Sequence, residues 1–225
     1  ILETIMKSVT LSHISTIPGM TPEESILYYA RVSNPSGQTK NNPRLFKYLY
    51  EHEHWSPFEM ISMCLHIETT RDISRQILRH RSFSFQEYSQ RYARVDDLGW
   101  TKRDMRFQDN TNRQSSILPD PECLEHFNMN LEWEALQHEV IETTTRAYTW
   151  ALDQGIAKEQ ARAVLPEGLI KTSLYMHGSI RSWIHYVNLR TGPETQREHR
   201  EVALECQRIL YEQCPSLRGI HENLS

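Results

Sequence analysis

The chain has 225 residues but only 4 cysteines, and neither sign of charge dominates, with 25 Lys+Arg against 29 Asp+Glu. The cysteines, Cys64, Cys123, Cys206 and Cys214, form no CxxC pair, which excludes a zinc knuckle and a thioredoxin-like motif. Reduced, structural thiols in a cytoplasmic protein are expected. No apolar run approaches the roughly 20 residues that span a bilayer. The N-terminal stretch Ile1-Leu2-Glu3-Thr4-Ile5-Met6 lacks the basic start and small-residue cleavage site of a signal peptide. Position 1 is Ile and not Met, so trimming or processing at that end is expected. There is no internal repeat. The formal charge of −4 gives no reason to expect a nucleic-acid partner. What is present argues against disorder: 6 Phe, 5 Trp and 10 Tyr are enough to build a core.

Local patterns give a helix-rich α+β chain. Thr21-Pro22-Glu23-Glu24 reads as a capping box with Pro at the first helical position, opening a helix to about Val32. Asn42-Pro43 repeats the logic for a helix over residues 44–53. Ile61, Met63, Leu65 and Ile67 alternate with polar or small residues, a half-buried strand. Thr69 or Thr70 caps a helix through Ile73, Ile77 and Leu78, which puts Arg75, Gln76 and Arg79 on one side. Residues 121–154 read as one long amphipathic helix with Leu124, Phe127, Leu131, Leu136, Val140, Thr144, Ala147 and Ala151 on its apolar face and Gly155 beyond its end. A short helix precedes Pro166, a strand covers 172–177, and Ile180, Trp183, Ile184 and Val187 mark a further helix. Thr195 with Glu198 predicts a capping box for the last long helix, which buries Val202, Cys206, Ile209 and Leu210. Residues 93–121 are polar and loop-like, a length that is often functional.

The charge is unevenly spread. Residues 71–113 hold ten Lys+Arg and six acids, while residues 114–170 hold three and ten. Within the basic part, Arg79-His80-Arg81-Ser82-Phe83-Ser84-Phe85-Gln86-Glu87-Tyr88-Ser89-Gln90-Arg91-Tyr92 crowds guanidinium, hydroxyl and amide donors together. Like charges on neighbouring turns are costly unless an anion answers them, and Glu87 answers only part. From Phe83 the alternation fits a short extended piece that aims Ser84 and Gln86 to one side. Such donors suit a nucleotide phosphate and a polar base edge. Two other readings remain: a solvated helix face, and a single-strand nucleic-acid binder using the Phe-interleaved basic segment.

Arg79-His80-Arg81 followed by Ser89 resembles the motif of the flavin-dependent thymidylate synthases (the ThyX family). Four flanking blocks extend the match in order. They are Ala30-Arg31-Val32-Ser33, His54-Trp55-Ser56-Pro57-Phe58-Glu59, Ala161-Arg162-Ala163-Val164-Leu165-Pro166, and Asn188-Leu189-Arg190 with Gln196 and Glu198. The resemblance implies a single ThyX-like domain over residues 1–225, α+β with a small, mostly antiparallel sheet. It implies a homotetramer with active sites at subunit interfaces, no membrane or nucleic-acid partner, and no metal. The implied reaction is reductive methylation of dUMP to dTMP, with methylenetetrahydrofolate as one-carbon donor, NADPH as reductant and FAD as cofactor, without a cysteine nucleophile. By resemblance Ser56, Arg79, His80, Arg81, Glu87, Ser179, Ile180, Arg181 and His185, with His54, hold FAD. Gln76, Ile77, Leu78, Arg79, Glu87, Tyr88, Ser89, Gln90, Arg91, Arg162 and Arg190 meet dUMP, and Arg190 is the catalytic residue that favours ionisation of the uracil ring. The match departs at Gln86, Ser179, His185 and Glu194, where the family more often has Asn, Asn, Asn and His.

Overall fold

A computed structural model describes residues 8–40, 42–95 and 98–222. Helix α1 (Pro22–Ala30) opens on the expected box: the Thr21 hydroxyl accepts from the Glu24 N–H and the Glu24 carboxylate accepts from the Thr21 N–H. Asn42 caps α2 (Pro43–Glu51) by accepting from the N–H groups of Arg44 and Leu45. The chain leaves α2 through Glu53, whose φ of 56° is left-handed, and enters the one-turn α3 (Ser56–Glu59). A side chain in that conformation is strained, by about 1 kcal/mol. The bend delivers His54, Trp55 and Ser56 to one place.

Four strands form an antiparallel sheet: β1 (Val9–Ile14), β2 (Ser62–Thr70), β3 (Ser84–Glu87) and β6 (Lys171–Ser179), in the order β1-β2-β6-β3. Alternation along β2 is as expected, with Met63, Leu65 and Ile67 buried and Ser62, Cys64 and His66 half-buried. Cys64 therefore sits on the face opposite the core and not within it. It pairs with His177, whose ring stacks on His13. β3 lies along β6, with Ser84 and Gln86 exposed and Phe85 and Glu87 turned inward. Phe83, just before β3, packs on Trp183 and lies so close over Gly178 that a Cβ there would come within 2.5 Å of its ring.

Helix α4 (Arg71–Ile77) follows β2 directly and ends sooner than expected, so Arg79 lies in the turn beyond it. Helices α7 (Ile180–Arg190), α8 (Arg197–Gln213) and α9 (Pro215–Glu222) complete the main core, where Trp183, Ile184, Val187, Ala203, Cys206 and Leu210 meet the inner sheet face. Trp183 is wholly buried and its indole N–H donates to the Met63 carbonyl. The predicted box at Thr195 does not form. Gln196 is the N-cap of α8, and the Glu198 carboxylate is drawn to Arg103 and Arg106.

The segment 93–121 carries a small hairpin of β4 (Phe107–Gln108) and β5 (Ser116–Ile117). It is pinned at Arg103. The guanidinium donates to the Gly168 carbonyl, Thr70 Oγ1 and Asp72 Oδ1, and the Arg103 backbone pairs with the Gln137 amide. Helix α5 (Leu124–Asp153) is about 45 Å long at 1.5 Å per residue. Its second half packs on a smaller core of Val95, Tyr148, Ala151, Ala161, Leu165 and Ile170, joined by α6 (Lys158–Ala161). The expected apolar face is mostly not buried. Thr144 and Ala151 are covered, but Leu124, Phe127, Leu131, Leu136 and Val140 face solvent, Leu124 at 73% exposure. Among the described residues no helix is long and apolar enough to cross a membrane.

Candidate active site

The expected site residues fall into three groups. The first surrounds the C-terminus of α7. Arg190, its last residue, donates from Nε to His80 Nε2 at 3.0 Å. A guanidinium has no acceptor, so His80 is the neutral tautomer with its lone pair on Nε2. Burial, and then the charge of Arg190, push the His80 pKa down to about 4. The Tyr186 and His80 rings meet edge to face with their centres 4.9 Å apart. Gln76 joins this group from α4. Its Oε1 lies 3.2 Å from His199 Nδ1 and its Nε2 donates to Gln196 Oε1 at 2.7 Å. Ile77 is wholly buried in the core and Leu78 forms the helix end, so Ile77 has no side chain to offer a ligand.

The second group surrounds Glu87, at the end of β3. Its carboxylate accepts from Ser74 and Thr172 and pairs with Arg71 at 3.4 Å and Arg75 at 3.9 Å. The ion pair with Arg71 is buried on both sides, and Arg71 also donates to the Tyr88 carbonyl. Burial lowers the Arg71 pKa, partly offset by Glu87. These arginines border a cleft of about 440 Å3 that is also lined by Gln90 and Arg162. Glu167, bonded to Arg75, and Glu159 offset some of the cleft's positive charge. The Ser89 hydroxyl makes no hydrogen bond among the described residues, whereas the Tyr88 hydroxyl is tied to the Arg94 carbonyl. Since Glu87 is spent on Arg71 and Arg75, it does not answer Arg79 and Arg81. Both side chains are exposed, and neither guanidinium makes an ion pair or hydrogen bond among the described residues. Exposed Arg91 lies over the Tyr92 ring, its one side-chain contact of this kind among the described residues.

The third group joins the α2–α3 bend to α7. His185 packs on Trp55 with ring centres 4.9 Å apart, and Arg181 pairs with Glu59 at 3.0 Å. Burial, then Arg181, lower the His185 pKa. His54 meets Tyr48 edge-on, and Ser56 is exposed at the start of α3. The bend that carries His54 and Ser56 is thus adjacent to Arg181 and His185 of α7, all expected at the cofactor. Two of their members are committed elsewhere. Ser179 is the N-cap of α7, accepting from the Ser182 N–H. Ile180 is wholly buried, with its N–H donated to the Ile61 carbonyl.

Sequence reasoning missed Arg71, Arg103 and His199. Each is buried or half-buried and polar, and each finds its partners only through tertiary contact. A cleft of about 850 Å3 was also missed. It opens between the hairpin, α5 and α8, is lined by Arg106, Phe107, Trp133, Gln196 and Arg200, and reaches the first group only through Gln196.

The family model described as thymidylate synthase complementing protein matches residues 16–216. A probable flavin-dependent thymidylate synthase of Paramecium bursaria Chlorella virus 1 is 45% identical over 199 residues, 88% of this chain and 89% of its own. A flavin-dependent thymidylate synthase of Synechocystis is 44% identical, covering 90% and 91%. The solved UMP/dUMP methylase PolB of Streptomyces cacaoi, bound with 5-Br UMP, superposes with a TM-score of 0.78 at 26% identity over 94% and 92% of the two chains. With five motif blocks in order, a match over nearly the whole length and the same fold, the chain belongs to the flavin-dependent thymidylate synthase family.

Proposed function

We propose that this enzyme methylates dUMP to dTMP, taking the one-carbon unit from methylenetetrahydrofolate and reducing equivalents from NADPH, in the cytoplasm. The observation that carries the reading is the contact between Arg190 and a neutral His80 beside Gln76. The residues fit FAD. Arg79 and Arg81 are unanswered cations suited to its pyrophosphate, and the buried Arg181 Nε has no acceptor among the described residues. Ser56, His54 and His185 complete that set, with His80 and Glu87 holding its frame. Bound there, FAD would supply the redox chemistry of the reaction.

The chain's own groups bind, orient and stabilise charge. Arg162, Arg91 and Gln90, with Ser89 and Tyr88, meet the nucleotide phosphate and sugar. Arg190 faces the uracil ring and stabilises negative charge as the ring becomes nucleophilic. Cys206 and Cys214 are wholly buried and burial pushes both thiols up, as it does for Cys64, so none of these offers an attacking thiolate. The test is an absorbance spectrum before and after dUMP, followed by a dTMP assay with folate and NADPH. Flavin bands that shift with dUMP are expected. A protein that takes up no FAD under any condition sinks the reading. UMP belongs in the same assay, because PolB is described as a UMP/dUMP methylase.

A homotetramer belongs to the proposal. At the start of α5, Leu124, Phe127 and Leu131 are exposed at three- and four-residue steps, an apolar patch of the kind that marks a protein interface. Since FAD and dUMP groups lie in three separate clusters, a second copy is the natural source of the groups each cluster lacks. Phe127→Glu with Leu131→Glu, exposed four residues apart, is expected to shift the protein to a smaller assembly in sedimentation and to release flavin. An unchanged tetramer with both charges in place would rule out this face.

A further inference from the structure

A chain of hydrogen bonds runs from Tyr186 to Glu198 and passes through Gln76. The Tyr186 hydroxyl is 3.1 Å from His199 Nε2, and His199 Nδ1 is 3.2 Å from Gln76 Oε1. Gln76 Nε2 donates to Gln196 Oε1, and Gln196 Nε2 donates to Glu198 Oε2 at 3.0 Å. The other Glu198 oxygen accepts from Arg106 and forms an ion pair with Arg103 at 3.3 Å. Burial opposes ionisation of Glu198, but its own backbone N–H, Gln196 and the two arginines outweigh it, and its pKa falls.

The direction of every bond follows from that one charge. A carboxylate only accepts, so Gln196 must turn its NH2 toward Glu198 and its oxygen toward Gln76. Gln76 must then offer its NH2 to Gln196 and its oxygen to His199. His199 must carry its proton on Nδ1, which leaves Nε2 to accept from Tyr186. Burial, then Arg190 and His80, push the His199 pKa down to about 4, so the imidazole is neutral and has one donor and one acceptor, as the relay needs. His199 and Tyr186 are essentially inaccessible, so water cannot replace either partner.

We propose that Glu198, Gln196, His199 and Tyr186 are positioning residues that fix which way round the Gln76 amide faces, and thereby select uracil over cytosine. The proposal rests on the reading of Gln76 as a dUMP contact. The relay uses one N–H and one lone pair of the Gln76 amide and leaves one of each. Uracil presents an N–H donor beside a carbonyl; cytosine presents a ring-nitrogen acceptor beside an amino donor. An amide held one way round matches the first pattern, and the same amide turned over matches the second.

The test uses the FAD-loaded enzyme. Tyr186→Phe with His199→Leu removes both buried polar groups together and leaves neither orphaned. In this double variant the KM for dUMP is expected to rise roughly tenfold, the equivalent of one good hydrogen bond. The inhibition constant of dCMP is expected to fall relative to that KM, with kcat nearly unchanged. His199→Gln, whose amide both donates and accepts, is expected to restore most of the preference for uracil. With 15N-labelled histidine, His199 is expected to be the Nδ1–H tautomer at neutral pH and to lose that preference in Glu198→Gln. An unchanged dUMP-to-dCMP ratio in the double variant, or His199 protonated on Nε2 in the unaltered enzyme, overturns the relay. Arg190→Ala assayed alongside separates the two levels. Lost turnover there with a neutral double variant condemns the relay alone, while retained turnover in both condemns the assignment of the site.

Discussion

Replacing Arg190 with lysine is expected to cut dTMP formation by roughly two to three orders of magnitude while FAD and dUMP still bind. The charge survives the change, so the loss reports geometry. Arg190 ends α7, and its Nε is held by His80, an imidazole kept neutral by burial and by Arg190 itself. With Nε fixed, the two Nη groups stand in one plane as a preset fork for a ring that gains negative charge. Lysine has one ammonium on a flexible stem, no Nε for His80 to hold, and rotamer freedom to lose at the moment of reaction. It would also leave His80 Nε2 half-buried without a donor. Single-turnover rates with saturating dUMP separate this from weaker binding, and the flavin spectrum shows whether the cofactor site is intact. Turnover within tenfold of the unaltered enzyme would mean that another group stabilises the ring.

The parts that were legible in the sequence are those decided within a few residues. The box at Thr21 and Glu24 and the cap at Asn42 form as read because each closes over three residues. Alternation in β2 survives because one sheet face is core. The box at Thr195 had the same local grammar but lost to a stronger, distant pull, since Arg103 and Arg106 compete for Glu198 from more than ninety residues away. β1 gave no pattern because only Val9 of its six residues is buried. The apolar period of α5 correctly gave a helix and wrongly gave a buried face, because periodicity reports that a face is apolar and not what covers it. At the site, Arg79, His80, Arg81 and Arg190 stood out through their motif blocks. His199 and Arg71 did not. A buried histidine or arginine is conspicuous only when its partners are known, and here they lie on other elements.

Acid is expected to destabilise this protein well before its carboxylates titrate, through His80 and His199. Both have folded pKa values near 4 against 6.5 for a free imidazole. Above pH 6.5 both are neutral in either state, and the stability they allow is fully present. Between 6.5 and about 4 the unfolded chain takes up protons that the folded chain refuses, so stability falls as pH falls through that window. Below about 4 the folded protein takes them up as well, and the loss levels off. For wholly buried His199 alone the drop from 6.5 to about 4 corresponds to roughly 3 to 4 kcal/mol, at about 1.4 kcal/mol per unit. His80 adds less than the same again, because it is only half-buried and the two rings repel each other's protonation. Among the described residues neither ring has a carboxylate partner that would favour the charged form. His80 faces Arg190 and Tyr186, and His199 faces Tyr186 and the neutral Gln76 amide. A loss of a few kcal/mol is a large fraction of the 5–15 kcal/mol typical of a domain. Urea midpoints measured from pH 8 to 4 are expected to fall most steeply around 5 to 6, and the Tyr186→Phe/His199→Leu variant is expected to lose much of that slope. A midpoint flat across this range would mean that both rings are protonated at no cost in the folded state, and the neutral His80 that the proposed role of Arg190 requires would go with it.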